Sequence, residues 1–529
     1  MKKKMSLITV AVLILSIMAT GCSTSRNASE PAAAQTPAEE KVLIVRAIGD
    51  PMSFNPDTLP DDNNYPIVQN IFNRLVKLDA SKQIIPDLAS KWEVSEDGKN
   101  ITFFLREDAK WHDGNKVTSK DVKYTFDTIK ANETYYMSTR LGIVDSIETP
   151  DDYTAVFKMN KADVSFIADL GWYGTFILPE HLYNNGEKWE DNPASKNPVG
   201  SGPFKLSEFK QGESITLVPN KDYHEGSPKL DKLIFSIIPD DATAVQALIN
   251  GDIDMFENVP AGNVEELKAA GNIRLALNEY PSPMRIIFNL KDKAVQDVNL
   301  RKAIAAAINK EEISQKIYAG VQKPEYNMYP SLIKWASNSE ETSPHFNIEE
   351  AKKVLEDAGY KKDANGFYVA GLTLDVFEGG GYPEAAKLIE ATLAQAGIDV
   401  EVQVHEYNAW SEKVGTKRDF ILEMQGGFMG PDPAALAKRF GTGQASNYAA
   451  YSSAEFDSLC EQGAATGDQG KRAEYYKKAQ ALLAKDLPYV PIVTFAGYDA
   501  NRSDYINLPI DGTGKWGWAE FTYTDLAAK

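Results

Sequence analysis

Residues 67–127 read IVQNIFNRLVKLDASKQIIPDLASKWEVSEDGKNITFFLREDAKWHDGNKVTSKDVKYTFD, and this stretch decides the fold. Ile101 to Leu105 is an apolar run of strand length. Asp113-Gly114 follows as a chain-reversing dipeptide, with Trp111 placed to pack in the turn. Thr118 and Asp121 then form a capping box, and Val122, Phe126 and Ile129 recur at i, i+4 and i+7, the stripe of an amphipathic helix. Outward from here the same mixture continues without a fixed repeat. Val42 to Ala47, Ile215 to Val218 and Leu233 to Ile238 read as strands. Asn347 with Glu350 starts a helix carrying Ala351, Val354, Leu355 and Ala358, which Gly359 stops. Pro383 marks the first turn of another, with Ala386, Ile389 and Leu393 on one face and Gly397 at its end, before Asp399 to Val404 alternates as a strand. Strands and helices intermingled in this way imply α/β layers.

The core of the opening stretch, LREDAKWHDG at Leu105 to Gly114 followed by TSKDVKYTF, resembles the signature region of the extracellular solute-binding protein family 5, the peptide, dipeptide and nickel binders of ABC importers. Similar segments continue in family order: PVGSGPF at Pro198 to Phe204, NKDY at Asn220 to Tyr223, DDATAVQALINGDID at Asp240 to Asp254, RKAIAAAINKEEI at Arg301 to Ile313 and NIEEAKKVLEDAGY at Asn347 to Tyr360. The resemblance implies a two-lobed periplasmic-binding-protein fold of the class with an extra subdomain. Lobe one would comprise residues 42–84, 197–281 and 499–529, the extra subdomain 85–196, and lobe two 282–498. The chain would cross between lobes twice, forming a two-segment hinge. Binding proteins of this kind are a standard case of hinge closure around a ligand.

The resemblance also implies where a solute would sit. EMQGGFMGPDP at Glu423 to Pro433 follows a strand expected at Phe420 to Leu422, and in the family this glycine-rich loop faces the ligand. Gln425, Gly426, Gly427, Phe428 and Met429 are therefore candidate binding residues. Peptide-binding members hold the peptide's α-ammonium with an aspartate here, and Met429 stands at that position; a thioether cannot replace an ion pair. Asp432, three residues on, is expected to serve the turn. Tyr407, Trp410 and Tyr448 fall where family members place ligand-contacting residues, GGGY at Gly379 to Tyr382 opens a helix whose amides suit a carboxylate, and Trp172 with Tyr173 is positioned to cover the cleft. An (oligo)peptide is the expected solute; an oligosaccharide and a nickel or other metal chelate stay open because of Met429.

The amino-terminal region carries its own signal. Lys2, Lys3 and Lys4 precede an apolar run from Leu7 to Ala19, the pattern of a signal peptide over residues 1–21. Ala19-Thr20-Gly21-Cys22 looks like a bacterial lipobox, so Cys22 is the expected lipidation site, acylated by diacylglyceryl and palmitate-type chains that hold the protein at the outer face of the membrane. Residues 22–41 are rich in Ser, Thr, Ala, Pro and Glu and read as a tether. Cys460 is the other cysteine, expected in the core of a helix after Ser453.

Composition narrows the function classes. The 529 residues carry a net charge of −19 with no basic patch beyond the first residues, which argues against nucleic acid as a partner. The five histidines are dispersed, without HExxH or other close metal spacing, and neither a GxSxG elbow nor a Walker loop occurs. Acidic pairs such as Asp151-Asp152 and Asp240-Asp241 are adjacent in sequence, the arrangement of turns rather than of carboxylates opposed across a cleft. A binding protein is expected, not an enzyme, with a secreted hydrolase as the remote alternative. It should need no cofactor and no metal, act as a monomer, and take permease subunits as its protein partners.

Overall fold

The computed structural model describes residues 40–58, 63–79, 83–171, 174–508 and 521–526. The signal segment, Cys22, nearly all of the tether and the Trp172-Tyr173 pair lie outside the described residues. Where local signals were strong, the elements form as the sequence predicts. Val42–Ala47 is a strand, and the other early strands are Asn100–Leu105, Ser214–Pro219 and Lys232–Ile237. In the helix Ser119–Ala131 the Thr118 N–H donates to the Asp121 carboxylate at 2.8 Å, while Val122, Phe126 and Ile129 are buried. Asn347 caps Ile348–Asp357 by accepting from the Glu350 N–H at 3.0 Å.

A ten-stranded mixed sheet forms the spine. From one edge its strands are Ile398–His405, Val369–Phe377, Leu422–Gln425, Ile273–Phe288, Tyr489–Arg502, Met255–Val259, Val42–Ala47, Lys232–Ile237, Ser214–Pro219 and Phe204–Lys210. Two of these are unusually long, Ile273–Phe288 and Tyr489–Arg502, and they pair with each other in antiparallel register from Ile273–Arg502 to Ile287–Tyr489. They run between two apolar cores. One core gathers Leu43, Phe204 and Phe235 with Phe103 and Phe157 of a separate four-stranded sheet, Ala89–Val94, Asn100–Leu105, Thr154–Met159 and Val144–Asp151. The other gathers Ile286, Phe288, Leu374, Val376, Ile389 and Leu422.

Between the cores the ladder breaks. Pairing jumps from Glu279–Ala496 to Pro283–Thr494 and again to Arg285–Pro491. Pro281 and Pro283 bring no N–H to the ladder, so the strands bulge and bend where they pass from one core to the other.

One strand departs from its sequence reading. The strand expected at Phe420 to Leu422 is Leu422–Gln425, so Glu423, Met424 and Gln425 belong to the sheet and the glycine-rich loop begins at Gly426. The cause is tertiary: these residues lie opposite Ile287, Ile286 and Arg285 on one side, and Glu423 lies beside Asp375 on the other.

Candidate functional site

The signature motif proves to be a joint. Gly114 adopts φ +95° in the turn, its N–H donating to the Trp111 carbonyl at 2.9 Å, and Trp111 is buried. His112 grips the PVGSGPF segment: its N–H donates to the Gly200 carbonyl at 2.8 Å, its Nδ1 accepts from the Gly200 N–H at 3.2 Å, and its Nε2 lies 3.0 Å from the Gly202 carbonyl. A Cβ on Gly200 would stand 1.8 Å from the Ile71 carbonyl oxygen, so only glycine fits. Burial lowers the His112 pKa to about 4, leaving the ring neutral in this joint. The motif ties the turn after Asn100–Leu105 to the PVGSGPF segment.

The glycine-rich loop leaves the strand Leu422–Gln425 beside the bulged crossing. Met429 anchors it there, donating its N–H to the Pro281 carbonyl at 2.7 Å, and its side chain is 1% exposed. Gly426 is wedged: a Cβ would meet Phe495 at 2.2 Å and the Tyr382 hydroxyl at 2.5 Å. A Cβ on Gly427 would meet Nη2 of Arg285 at 2.9 Å and Nη2 of Arg439 at 3.3 Å. The loop's carbonyls receive those guanidiniums, Gly427 from Arg285 Nη1 at 3.4 Å and Phe428 from Arg439 Nη2 at 2.6 Å. Arg285, Arg439, Gln425, Ser446 and Tyr448 are the polar lining of a cavity of about 60 Å³. A second cavity, of about 250 Å³, takes Pro431 and Asp432 from the far end of the same loop, Arg472, Trp335 from against the second core, and Trp92 and Ile167 from the first core.

The aromatic candidates separate. Tyr448 lines the smaller cavity, with the Arg418 guanidinium 3.4 Å from its ring centroid. Tyr382, on the first turn of Tyr382–Gln395, is buried against Phe377 and Phe495. Trp410 is 5% exposed in a small cluster with Val414 and Phe420, whereas Tyr407 stands 56% exposed, edge-on to Phe377. The Gly379–Gly381 run takes positive φ at all three residues. Its anion-binding capacity is small, because the Tyr382 N–H already donates to the Gly379 carbonyl at 3.1 Å and Pro383 has no N–H.

The carboxylates around the loop are engaged. Asp432 pairs with both terminal nitrogens of Arg472 at 2.8 Å and also accepts from the Ala434 N–H at 2.9 Å. Asp375 accepts from Lys413 at 2.8 Å and lies 2.6 Å from His405 Nε2. Glu423 is buried and accepts from Gln425 at 2.7 Å; desolvation pushes its pKa to about 8, so it is largely protonated at neutral pH. None forms an ion pair with Arg285 or Arg439.

With this geometry in view, the comparisons decide the family. A model described as "Bacterial extracellular solute-binding proteins, family 5 Middle" matches residues 83–448, well over half of the chain. The chain belongs to this family. The oligopeptide-binding protein AppA of Bacillus subtilis (strain 168) is 29% identical over 522 residues, covering 95% of this chain and 94% of AppA. The dipeptide-binding protein of Escherichia coli (strain K12) is 26% identical over 505 residues, covering 90% and 94%. The crystal structure of the substrate-binding protein CtaP of Listeria monocytogenes superposes with a TM-score of 0.82 at 26% identity, covering 92% of this chain and all of that one. The family 5 chain is thus a substrate-binding protein of an ABC importer with the periplasmic-binding-protein fold, in a family of binders rather than catalysts.

Of the residues expected at the site, Gln425, Gly427, Phe428, Met429 and Tyr448 gather at the arginine pair, and Gly426 and Tyr382 support it from behind. Trp410 packs in a core, and Tyr407 lies at the surface beside it. Sequence reasoning missed Arg285, Arg439 and Arg418. The available signal was Arg285 itself, a charge between Met284 and Ile286 in an otherwise apolar run.

Proposed function

We propose that this family 5 protein captures an (oligo)peptide between its two lobes and delivers it to the permease of an ABC importer. In this reading the lobes have the boundaries expected from the sequence, and closure occurs about the bulged crossing strands. The observation that carries it is the glycine-rich loop at the crossing: its wedged glycines bring backbone to the cleft, where main-chain pairing would tolerate varied side chains. Relatives named for binding oligopeptides and dipeptides support the choice of solute. Closure strengthens polar contacts by excluding water, and a micromolar solute needs only about −8 kcal/mol.

The full chain, purified in mild detergent and denatured, should release its bound solute for mass spectrometry. A mixed peptide pool supports the reading; hexose masses or stoichiometric nickel would sink it. Cys22 is the proposed lipid anchor, holding the protein on the outer face of the cytoplasmic membrane. Cys22→Ser should release it into the soluble fraction, and unchanged membrane retention would refute the anchor.

A further inference from the structure

Of the other buried guanidiniums, Arg74 also leaves its Nε without a partner, but Arg301 and Arg472 have their needs met. Arg301 donates to the carbonyls of Val295, Gln296, Asp486 and Leu487 at 2.6–3.0 Å. Arg472 is matched in both nitrogens by Asp432. Arg285 and Arg439 differ. Arg285 is 1% exposed, its Nε has no partner, and its Nη1 has only the Gly427 carbonyl at 3.4 Å and the Met429 sulfur at 3.5 Å. Arg439 donates to a single carbonyl, that of Phe428. Both Nη2 atoms lie close to one point above Gly427, at 2.9 and 3.3 Å, so their separation is at most the sum, about 6 Å, where like charges repel.

Two cations this close, one buried and one half-buried, and neither in an ion pair, destabilise the site unless something neutralises them. The protein does not. Glu423 is kept protonated, Asp375 and Asp432 are committed to other cations, and Arg418 adds a third positive charge over Tyr448. The cavity between the arginines is on the scale of a few water molecules, too small for a peptide backbone and large enough for a carboxylate head. Gln425, Ser446 and Tyr448 surround it with further hydrogen-bonding groups. The planar forks of arginine suit a carboxylate, which accepts two parallel bonds from each.

We propose that Arg285 and Arg439 form an anion subsite that takes a carboxylate of the bound solute beside Met429. This rests on the reading of the loop as ligand-facing, and it gives the cleft a sign: the position next to Met429 selects negative charge. The carboxylate has two possible sources in a peptide, its C-terminus or an acidic side chain. Burial and the neighbouring charge of Arg285 lower the Arg439 pKa to about 9, as expected of a cation waiting for a partner.

The test is calorimetric titration of the full chain with tri- and pentaalanine, each also as the N-acetyl form, as the C-terminal amide, and as an amide carrying one internal glutamate. The free acid or the glutamate amide should bind at least about tenfold tighter than the neutral amide, with N-acetylation tolerated. Acid-selective binding traces the carboxylate to the C-terminus, and glutamate-selective binding to a side chain. Arg439→Gln should erase the discrimination while raising the melting temperature of the unliganded protein, because it relieves repulsion. A purely structural arginine would do the reverse: a lowered melting temperature with discrimination intact overturns the proposal. Equal affinity for acid and amides in the unaltered chain overturns it without any variant. If no peptide binds, glutarate and inorganic phosphate replace them in thermal unfolding. Stabilisation that Arg439→Gln abolishes keeps the subsite while the peptide reading falls, and an equal response in both chains removes the subsite as well.

Discussion

The two ends of one short loop handle buried arginine in opposite ways. At the Pro431–Asp432 end, Arg472 meets Asp432 through two bonds of 2.8 Å, and its pKa is raised by that carboxylate against the opposing pull of burial. At the Gly427–Met429 end, Arg285 and Arg439 face each other with no carboxylate in an ion pair with either, Glu423 acting on Arg285 only through space, and burial lowers both pKa values. The first end is a closed electrostatic unit that locks the loop to the helix Gln469–Asp486. The second is open: Arg285 Nε has no partner, and both arginines line a cavity. Placing charge where the protein itself does not answer it is how a binding site differs from a brace.

The largest effect should come from breaking the closed end. Asp432→Ala leaves Arg472 buried and unpaired, and should lower stability by about 3–5 kcal/mol in urea titration. Arg472→Met on that background should recover part of the loss, since the stranded charge is then gone. No recovery would mean that Asp432 matters mainly for the turn at Ala434.

A smaller effect is expected from pH. The Glu423 carboxyl has a pKa of about 8 in the folded protein against a usual value of 4.5, so the folded state holds a proton that the unfolded state gives up first. The stability tied to this proton is fully present below pH 4.5 and falls as pH rises through about 8, by at most a few kcal/mol. Glu423→Gln should flatten that slope in urea midpoints measured from pH 5 to 9. Ionised Glu423 would also begin to neutralise Arg285, so carboxylate affinity should weaken above pH 8 in the unaltered chain, in the same range where Arg439 starts to lose its proton.

Met429→Asp converts the open end into a copy of the closed one. A carboxylate within reach of Arg285 should abolish the acid-over-amide preference, a loss of at least about 1.4 kcal/mol by titration. Retained preference would place the anion elsewhere. The smallest effects distinguish two tyrosines. Tyr448→Ala removes a wall of the cavity and the surface on which Arg418 stacks, and should reduce ligand-induced thermal stabilisation. Tyr407→Ala, at an exposed position, should change it little. Equal responses would mean that the cleft extends over Phe377.

Much of the fold was legible because its signals are local. The Thr118–Asp121 box, the Asn347 cap and the Gly359 stop depend on residues within one turn, and each formed as expected. Cys460 sits buried in Ala454–Ala465 behind the Ser453 cap, as its helix predicted, with its pKa pushed up to about 12. The strand at Leu422–Gln425 slipped out of the reading because Glu423 and Gln425 look like loop residues until partners 136 and 140 positions upstream, Ile287 and Arg285, pair with them. The candidate site was only partly legible for the same reason. Residue types mark which side chains can bind, but only packing set Trp410 inside a small core and Tyr448 on its flank, where the ring also meets the Arg418 guanidinium and a cavity.

By itself the sequence determined the α/β character and the glycine-rich loop, since these depend on residue type, spacing and close neighbours, while Met429 in place of an acid is what the family resemblance implied. The proposed anion subsite is visible only in three dimensions. Arg285 and Arg439 are 154 residues apart, and whether a buried charge is answered depends on which groups the fold brings within a few ångströms of it.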